Sequence, residues 1–200
     1  MADIDYFFAT VSPWTYLAGT RLEQIAARHG KTIAYKPVDL LAVFARTGGV
    51  APKDRHPSRM EYRAQELTRQ SAKLKMPLNL KPRHWPTNAA PSAYAVIAVA
   101  QAGGDVGPLV HAFTRAVWAE EREIADPEVI AAILGDCGFD PAVADKGMLS
   151  AAETYAANTE EAAARGAFGA PFYIVNADDA RFWGQDRLDD LDAHLGAGAA

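Results

Sequence analysis

Three short segments, far apart along the chain, carry the side chains with chemical potential: Ser12-Pro13-Trp14, Gly169-Ala170-Pro171 and Trp183-Gly184-Gln185-Asp186. Ser12 follows a short apolar run and precedes a proline, so its hydroxyl falls beside the unpaired N–H groups that open a helix. A hydroxyl there can donate to an anion and lower the pKa of a bound thiol; it can equally do no more than cap the helix. Pro171 precedes an apolar, strand-like run behind the small residues Gly169 and Ala170. A cis Ala170-Pro171 bond would turn the Ala170 N–H and C=O outward, free to pair with the backbone of a peptide-like ligand, although most X-Pro bonds are trans. In the third segment Asp186 can cap a following helix, and Gln185 offers both a donor and acceptors suited to an amino acid head group.

The elements that would position these residues can be read from periodicity. Ile4-Asp5-Tyr6-Phe7-Phe8 reads as a buried first strand. Trp14, Leu17, Ala18, Leu22 and Ile25 then recur on one helical face until Gly30, predicting a helix over about 13–29. A second strand over about 32–38 completes a β-α-β unit. From Leu40 to about Arg165 the pattern is helical, broken at Gly48-Gly49, Pro57, Pro77, Pro86, Gly103-Gly104, Asp126-Pro127 and Asp140-Pro141. Ala89 to Ala102 is apolar nearly all round and is expected to cross the centre of the bundle, whereas Ser58 to Lys75 alternates charge and should keep a solvated face. A hairpin, Phe172–Asn176 and Arg181–Trp183, leads to a last helix from near Asp186 with Leu188, Leu191 and Leu195 on one side, ahead of a Gly/Ala tail expected to be loose. The order is β-α-β, helical block, β-β-α: an α/β chain in which residues 1–38 and 166–200 form the frame and 39–165 an all-helical insertion, in one compact unit. All three segments then meet at one end of the sheet.

Bulk properties narrow the chemistry. A net charge of −5 over 200 residues, with Lys and Arg interleaved among acids, offers no basic stripe for nucleic acid. No stretch approaches the roughly 18 apolar residues of a membrane span, and Met1-Ala2-Asp3-Ile4-Asp5 has no basic segment leading into an apolar run, so a cytoplasmic chain is expected. The single cysteine, Cys137, rules out an internal dithiol pair and a cysteine-built metal site, and no metal ligand set is expected.

Together the segments resemble the glutathione-dependent 2-hydroxychromene-2-carboxylate isomerases, in the DsbA-like and kappa-class glutathione transferase branch of the thioredoxin fold. The resemblance runs over nearly the whole chain, carried by Asp5-Tyr6-Phe7-Phe8, Ser12-Pro13-Trp14-Thr15-Tyr16-Leu17-Ala18, Ala167-Phe168-Gly169-Ala170-Pro171-Phe172 and Phe182-Trp183-Gly184-Gln185-Asp186-Arg187-Leu188. It implies a thioredoxin-like fold and glutathione as cofactor. Ser12 would assist the glutathione thiolate from the place a redox relative gives its first active cysteine; Ala170 would contact the glutathione backbone, and Trp183, Gly184, Gln185 and Asp186 would hold its γ-glutamyl end. The thiolate would add to the ring-opened form of an aromatic keto acid, a double bond would become a rotatable single bond, and elimination would give the isomer.

Where the family holds its anionic aromatic substrate with a basic residue, an Asn-Arg pair and a tyrosine, this chain reads Phe44, Asp54-Arg55 and Trp85. Arg55 can still bind a carboxylate as a bidentate pair. Phe44 removes a charge, with Arg46 two residues on, and Trp85 keeps an aromatic face without the hydroxyl. The glutathione half of the site is thus retained and the substrate half altered. A kappa-like transferase and a non-catalytic glutathione- or peptide-binding module are the alternatives, and the resemblance suggests a homodimer. Thr15, three residues after Ser12, excludes a Cys-x-x-Cys pair. Cys137 is expected to be an inert buried thiol, and His56, His84 and His111 receive no role.

Overall fold

A computed structural model describes residues 2–197. Strands β1 (Ile4–Phe8), β2 (Ile33–Pro37), β3 (Phe172–Val175) and β4 (Ala180–Trp183) form one sheet in the order β2-β1-β3-β4. β1 and β2 are parallel; β1–β3 and β3–β4 are antiparallel. Every residue of β1 is buried, as its central place demands. Its side chains alternate: Ile4, Tyr6 and Phe8 enter a large core with Tyr173 and Val175, while Phe7 enters a second with Phe172, Ile174, Val43 and Ala162. Burying each such aromatic contributes roughly 1.5–3 kcal/mol. Asp5, the one acid on β1, is buried yet matched by Lys36 Nζ at 3.0 Å and by Arg165, which tie the sheet to the long helix α8 (Ala142–Ala164).

The helix predicted over 13–29 is two helices, α1 (Pro13–Ala18) and α2 (Arg21–Arg28). Gly19 breaks it with φ of 56° and an N–H returned to Tyr16 O at 3.0 Å. A side chain would be strained there by on the order of 1 kcal/mol, and nothing in a pattern of apolar spacing registers that break.

The helical block follows its punctuation: α3 (Leu40–Thr47), α4 (Pro57–Leu74), α5 (Ala90–Gln101), α6 (Gly107–Trp118), α7 (Pro127–Asp136) and α8. Asp126 caps α7 through the Glu128 N–H at 2.8 Å, and Asp140 accepts from the Ala142 N–H at 3.0 Å. α5 is buried continuously from Ala95 to Val99, the central helix expected of it, and α8 packs so closely that a Cβ on Gly147 would lie 2.7 Å from that of Ala98. α4 buries only Leu67 completely. After β4 a 3-10 turn, Gln185–Arg187, leads into α9 (Leu188–Ala197), which buries Leu188, Leu191 and Leu195. α9 continues through Gly196 and Ala197, where a loose tail was expected to begin; the rest of that tail lies outside the described residues.

Candidate functional site

Strand register brings the three segments together. Phe7, near the end of β1, pairs with Phe172 at the start of β3, and Phe172 pairs with Trp183 at the end of β4. The residues that follow β1, precede β3 and follow β4 therefore share one end of the sheet. Two hydrogen bonds lock them: Ser12 Oγ donates to Ala170 O at 3.2 Å, and the Gly184 N–H donates to Pro171 O at 2.9 Å.

Ser12 is 3% exposed and is the N-cap of α1, accepting from the Thr15 N–H at 3.3 Å. Both of its bonds are longer than ordinary hydroxyl bonds, so the hydroxyl can be redirected at little cost. With α1 reduced to six residues, the dipole expected of a longer helix contributes little, and the hydroxyl itself carries the chemistry available here. The Ala170-Pro171 bond is cis, as is Trp85-Pro86. The outward, free carbonyl expected at Ala170 is instead engaged by Ser12; its N–H has no acceptor among the described residues.

Trp183 is 53% exposed and stands edge-on to Phe168, ring centroids 4.8 Å apart. It also covers Gly169, where a Cβ would lie 2.4 Å from the indole nitrogen, so any larger residue there must displace the ring. Gly184 has φ of 104° and takes the capping position expected of Asp186. The Asp186 carboxylate is exposed, 3.3 Å from Arg187. Gln185 points inward, 2% exposed: its carbonyl accepts from Arg21 and its amide donates to Gln70 Oε1 at 3.1 Å. Arg21 also donates to Leu17 O at 3.1 Å and Ala18 O at 3.2 Å, so the Gln185 side chain pins the turn to the end of α1.

The expected substrate residues lie on the helical block, Arg55 against Phe44 and Trp85 against Trp118. Arg55 donates to Val50 O at 2.8 Å, and its guanidinium lies 5.5 Å from the centre of the Phe44 ring. Asp54 ends a 3-10 turn, exposed and without an ion pair among the described residues. Arg46 is committed to Glu160 at 2.5 Å. Trp85 is half-buried, its ring 5.1 Å from that of Trp118. No hydrogen bond joins these residues to Ser12, but Thr10 ties the serine's loop to the start of α5, bonding Ser92 Oγ at 2.8 Å and Ala89 O at 3.4 Å. Arg63 and Trp118 are the members that the sequence pattern did not reveal. Arg63 lies with its guanidinium 5.9 Å from the Trp118 ring, on a helix for which only a solvated face was expected. The available signal was a run of arginines at 55, 59 and 63, four residues apart, with no acid at i+4 to any of them.

Elsewhere, Cys137 closes α7, half-buried where full burial was expected; burial and then the neighbouring Asp136 push its thiol up, away from reactivity. His56 caps α4, while His84 and His111 face Glu123 and Glu23. Two clefts of ≈ 550 and ≈ 520 Å³ lie between β2 and α5–α8 and between α1, α4 and α6; neither is lined by Ser12, Ala170 or Trp183. Among the described residues no group of three His, Cys, Asp or Glu side chains could hold a metal, and no helix is long and apolar enough to cross a membrane.

A four-stranded sheet of this order, opened by Ser12 and Thr15 at the head of its first helix, defines a thioredoxin-type protein without a dithiol pair. Residues 3–196 match the DSBA-like thioredoxin domain, and the chain belongs to that family. Within it, the chain is 31% identical over 196 residues to a curated 2-hydroxychromene-2-carboxylate isomerase of Sphingobium xenophagum, covering 96% of this chain and 97% of the relative. A solved structure of 2-hydroxychromene-2-carboxylate isomerase superposes with a TM-score of 0.79 at 27% identity, covering 98% of this chain and 95% of that one. The cytosolic disulfide reductase DsbM from Pseudomonas aeruginosa, solved with GSH, shares the fold at a TM-score of 0.71 and 19% identity, over 98% of each chain. The chain thus belongs with the 2-hydroxychromene-2-carboxylate isomerases, and it is an enzyme.

Proposed function

We propose that the chain isomerises an aromatic acid of the 2-hydroxychromene-2-carboxylate type in aromatic compound degradation, with glutathione as its cofactor. The observation that carries this reading is the Ser12 hydroxyl, held on two long bonds between α1 and Ala170 at the end of the sheet where all three segments meet. The residues fit a thiol tripeptide. The Ala170 N–H, free of any acceptor among the described residues, suits a peptide carbonyl. Exposed Trp183 supplies an apolar wall and the Asp186 carboxylate suits an α-amino group, while Gln185 serves from behind by fixing their turn.

When bound, glutathione supplies a thiolate that adds reversibly to a conjugated keto acid and so frees a double bond to rotate. Ser12 swings its O–H from Ala170 O toward that thiolate and favours the ionised form. Arg55 offers its outer guanidinium nitrogens to the acid's carboxylate, Trp85 offers an aromatic face, and exposed Asp54 borders this end of the site. A cytoplasmic setting, where thiols stay reduced, suits a reaction that needs free glutathione, and assembly as a homodimer belongs to the same proposal.

The test is conversion of 2-hydroxychromene-2-carboxylate, followed by ultraviolet absorbance with and without glutathione, with mass analysis of the product. Glutathione-dependent isomerisation with no mass change supports the reading. A released conjugate would instead make the chain a kappa-like transferase, and glutathione binding without turnover a binding module.

A further inference from the structure

Position 44 holds phenylalanine where a cation is expected, and the nearest substitute, Arg46, is bound to Glu160. A site for an anionic acid would then rest on Arg55 alone, unless a second cation reaches it from elsewhere. α4 carries one. Arg63 is half-buried against Trp118, whose ring centre lies 5.1 Å from that of Trp85, tilted by 47°. Among the described residues Arg63 makes neither a hydrogen bond nor an ion pair, whereas Arg69, Arg165 and Arg181 all pair with carboxylates.

The nearest acids pass these arginines by. Glu66, three residues from Arg63, bonds Arg69 and Gln70, each at 2.7 Å. Asp54, adjacent to Arg55, is exposed and unpaired among the described residues. Burial and then Arg59 push the Arg55 guanidinium down; burial and then Arg55 do the same to Arg63, so these cations sense one another with no anion between them. Cation–π contacts with Phe44 and Trp118 offset part of that cost, about 0.5–2 kcal/mol each, and leave the nitrogens that a carboxylate would engage uncommitted.

We infer that Arg63 acts with Arg55 as a two-guanidinium clamp for the carboxylate-bearing end of an aromatic keto acid, restoring from α4 the charge that Phe44 removes. Trp85 and Trp118 form the aromatic floor beside it. This rests on the proposed isomerase reading, from which it separates experimentally because the clamp and the glutathione groove use different residues.

The experiment compares the native chain with Arg63→Gln, Arg63→Lys and the exposed control Arg59→Gln. Binding of phenylpyruvate, read by tryptophan quenching without glutathione, is measured alongside KM for 2-hydroxychromene-2-carboxylate and Kd for glutathione. Arg63→Gln is expected to weaken phenylpyruvate and raise KM by about tenfold to a hundredfold, the worth of a lost charge-assisted bond. Arg63→Lys should recover part of that loss, and Kd for glutathione should stay within about twofold in all variants. Unchanged phenylpyruvate binding in Arg63→Gln overturns the inference, as does a loss confined to glutathione, which would assign Arg63 to the other ligand. Keto-acid binding that depends on Arg63 in a chain that ignores glutathione would uphold the clamp and sink the cofactor reading.

Discussion

Removing the Ser12 hydroxyl tests whether it acts on a thiolate or only caps a helix. In the free chain the hydroxyl donates to Ala170 O at 3.2 Å and accepts from the Thr15 N–H at 3.3 Å. Redirecting it to a thiolate exchanges a long neutral bond, about 0.5–1.5 kcal/mol, for one to a charged group, about 1.5–3 kcal/mol. The net gain of about 1–2 kcal/mol corresponds to roughly one pKa unit. Ser12→Ala should therefore raise the pKa of protein-bound glutathione by about one unit, read from the thiolate absorbance across pH. Lost capping should also cost about 1 kcal/mol of stability, a fall in Tm of about 2–4 °C at this chain length. Ser12→Thr, which keeps the hydroxyl, should retain most of the pKa effect. The decisive result is the pairing of the two readouts: a lowered Tm with an unmoved thiol pKa would reduce Ser12 to a cap and refute its catalytic role.

Gly169→Ala places a Cβ 2.4 Å from the Trp183 indole nitrogen. The exposed ring can swing away, so stability should change by under about 1 kcal/mol, while tryptophan emission shifts and glutathione affinity falls; a moved indole with unchanged affinity would remove Trp183 from the groove. Gln185→Leu leaves Arg21 and Gln70 without their buried partner and should cost about 1–3 kcal/mol in denaturant unfolding, with weaker glutathione binding as the turn loosens. An unaltered midpoint would show the network to be incidental. Glu23 on α2 receives the Tyr35 hydroxyl at 2.8 Å, with His111 Nε2 3.2 Å away but poorly directed. Burial raises its carboxyl, but these neighbours outweigh it and hold the group below its ordinary 4.5. A lowered folded pKa stabilises above the unfolded value and is lost as pH falls through the folded one, so Glu23→Gln should flatten the fall in Tm between about pH 5 and pH 3; identical acid limbs would contradict this.

What could be read in advance follows from what local sequence encodes. β1 carries four apolar or aromatic residues in five, shortly before a Ser-Pro cap, and Asp126-Pro127 carries its own start signal, so such elements were legible. Convergence of the three segments was also legible, because a β-α-β unit followed by a β-β hairpin leaves little freedom in how its strand ends meet. The break at Gly19 was not, since an isolated glycine inside a good apolar pattern is usually tolerated. Nor was the inward turn of Gln185. Its partners, Arg21 and Gln70, lie 164 and 115 residues away, and no local pattern marks a buried amide for a distant guanidinium. Arg63 escaped for a related reason: alternating charge marks a solvated face without saying which arginines lie off it, and only packing against α6 shows that Arg63 is half-buried.

The same placement of polar groups accounts for how a disulfide-exchange frame can serve an isomerisation. A cysteine disulfide at the head of α1 would be attacked by an added thiolate, trapping it as a mixed disulfide with release of the second cysteine's thiolate and so carrying the chemistry into electron transfer. A hydroxyl at Ser12 and a buried Thr15 cannot form that bond, so any thiol held there remains free to leave. On the proposed reading the sulfur is supplied by a mobile ligand and the protein keeps only a donor, which is what reversible addition and elimination require. On the same proposal selectivity falls to the helical block, where the cations at 55 and 63 sit on α4 and its approach, outside the strand ends that hold Ser12 and Ala170. The substrate half can therefore change, as at Phe44, without disturbing the thiolate half. On that division, variants of α4 should shift acid preference while leaving the bound thiol's pKa where Ser12 sets it.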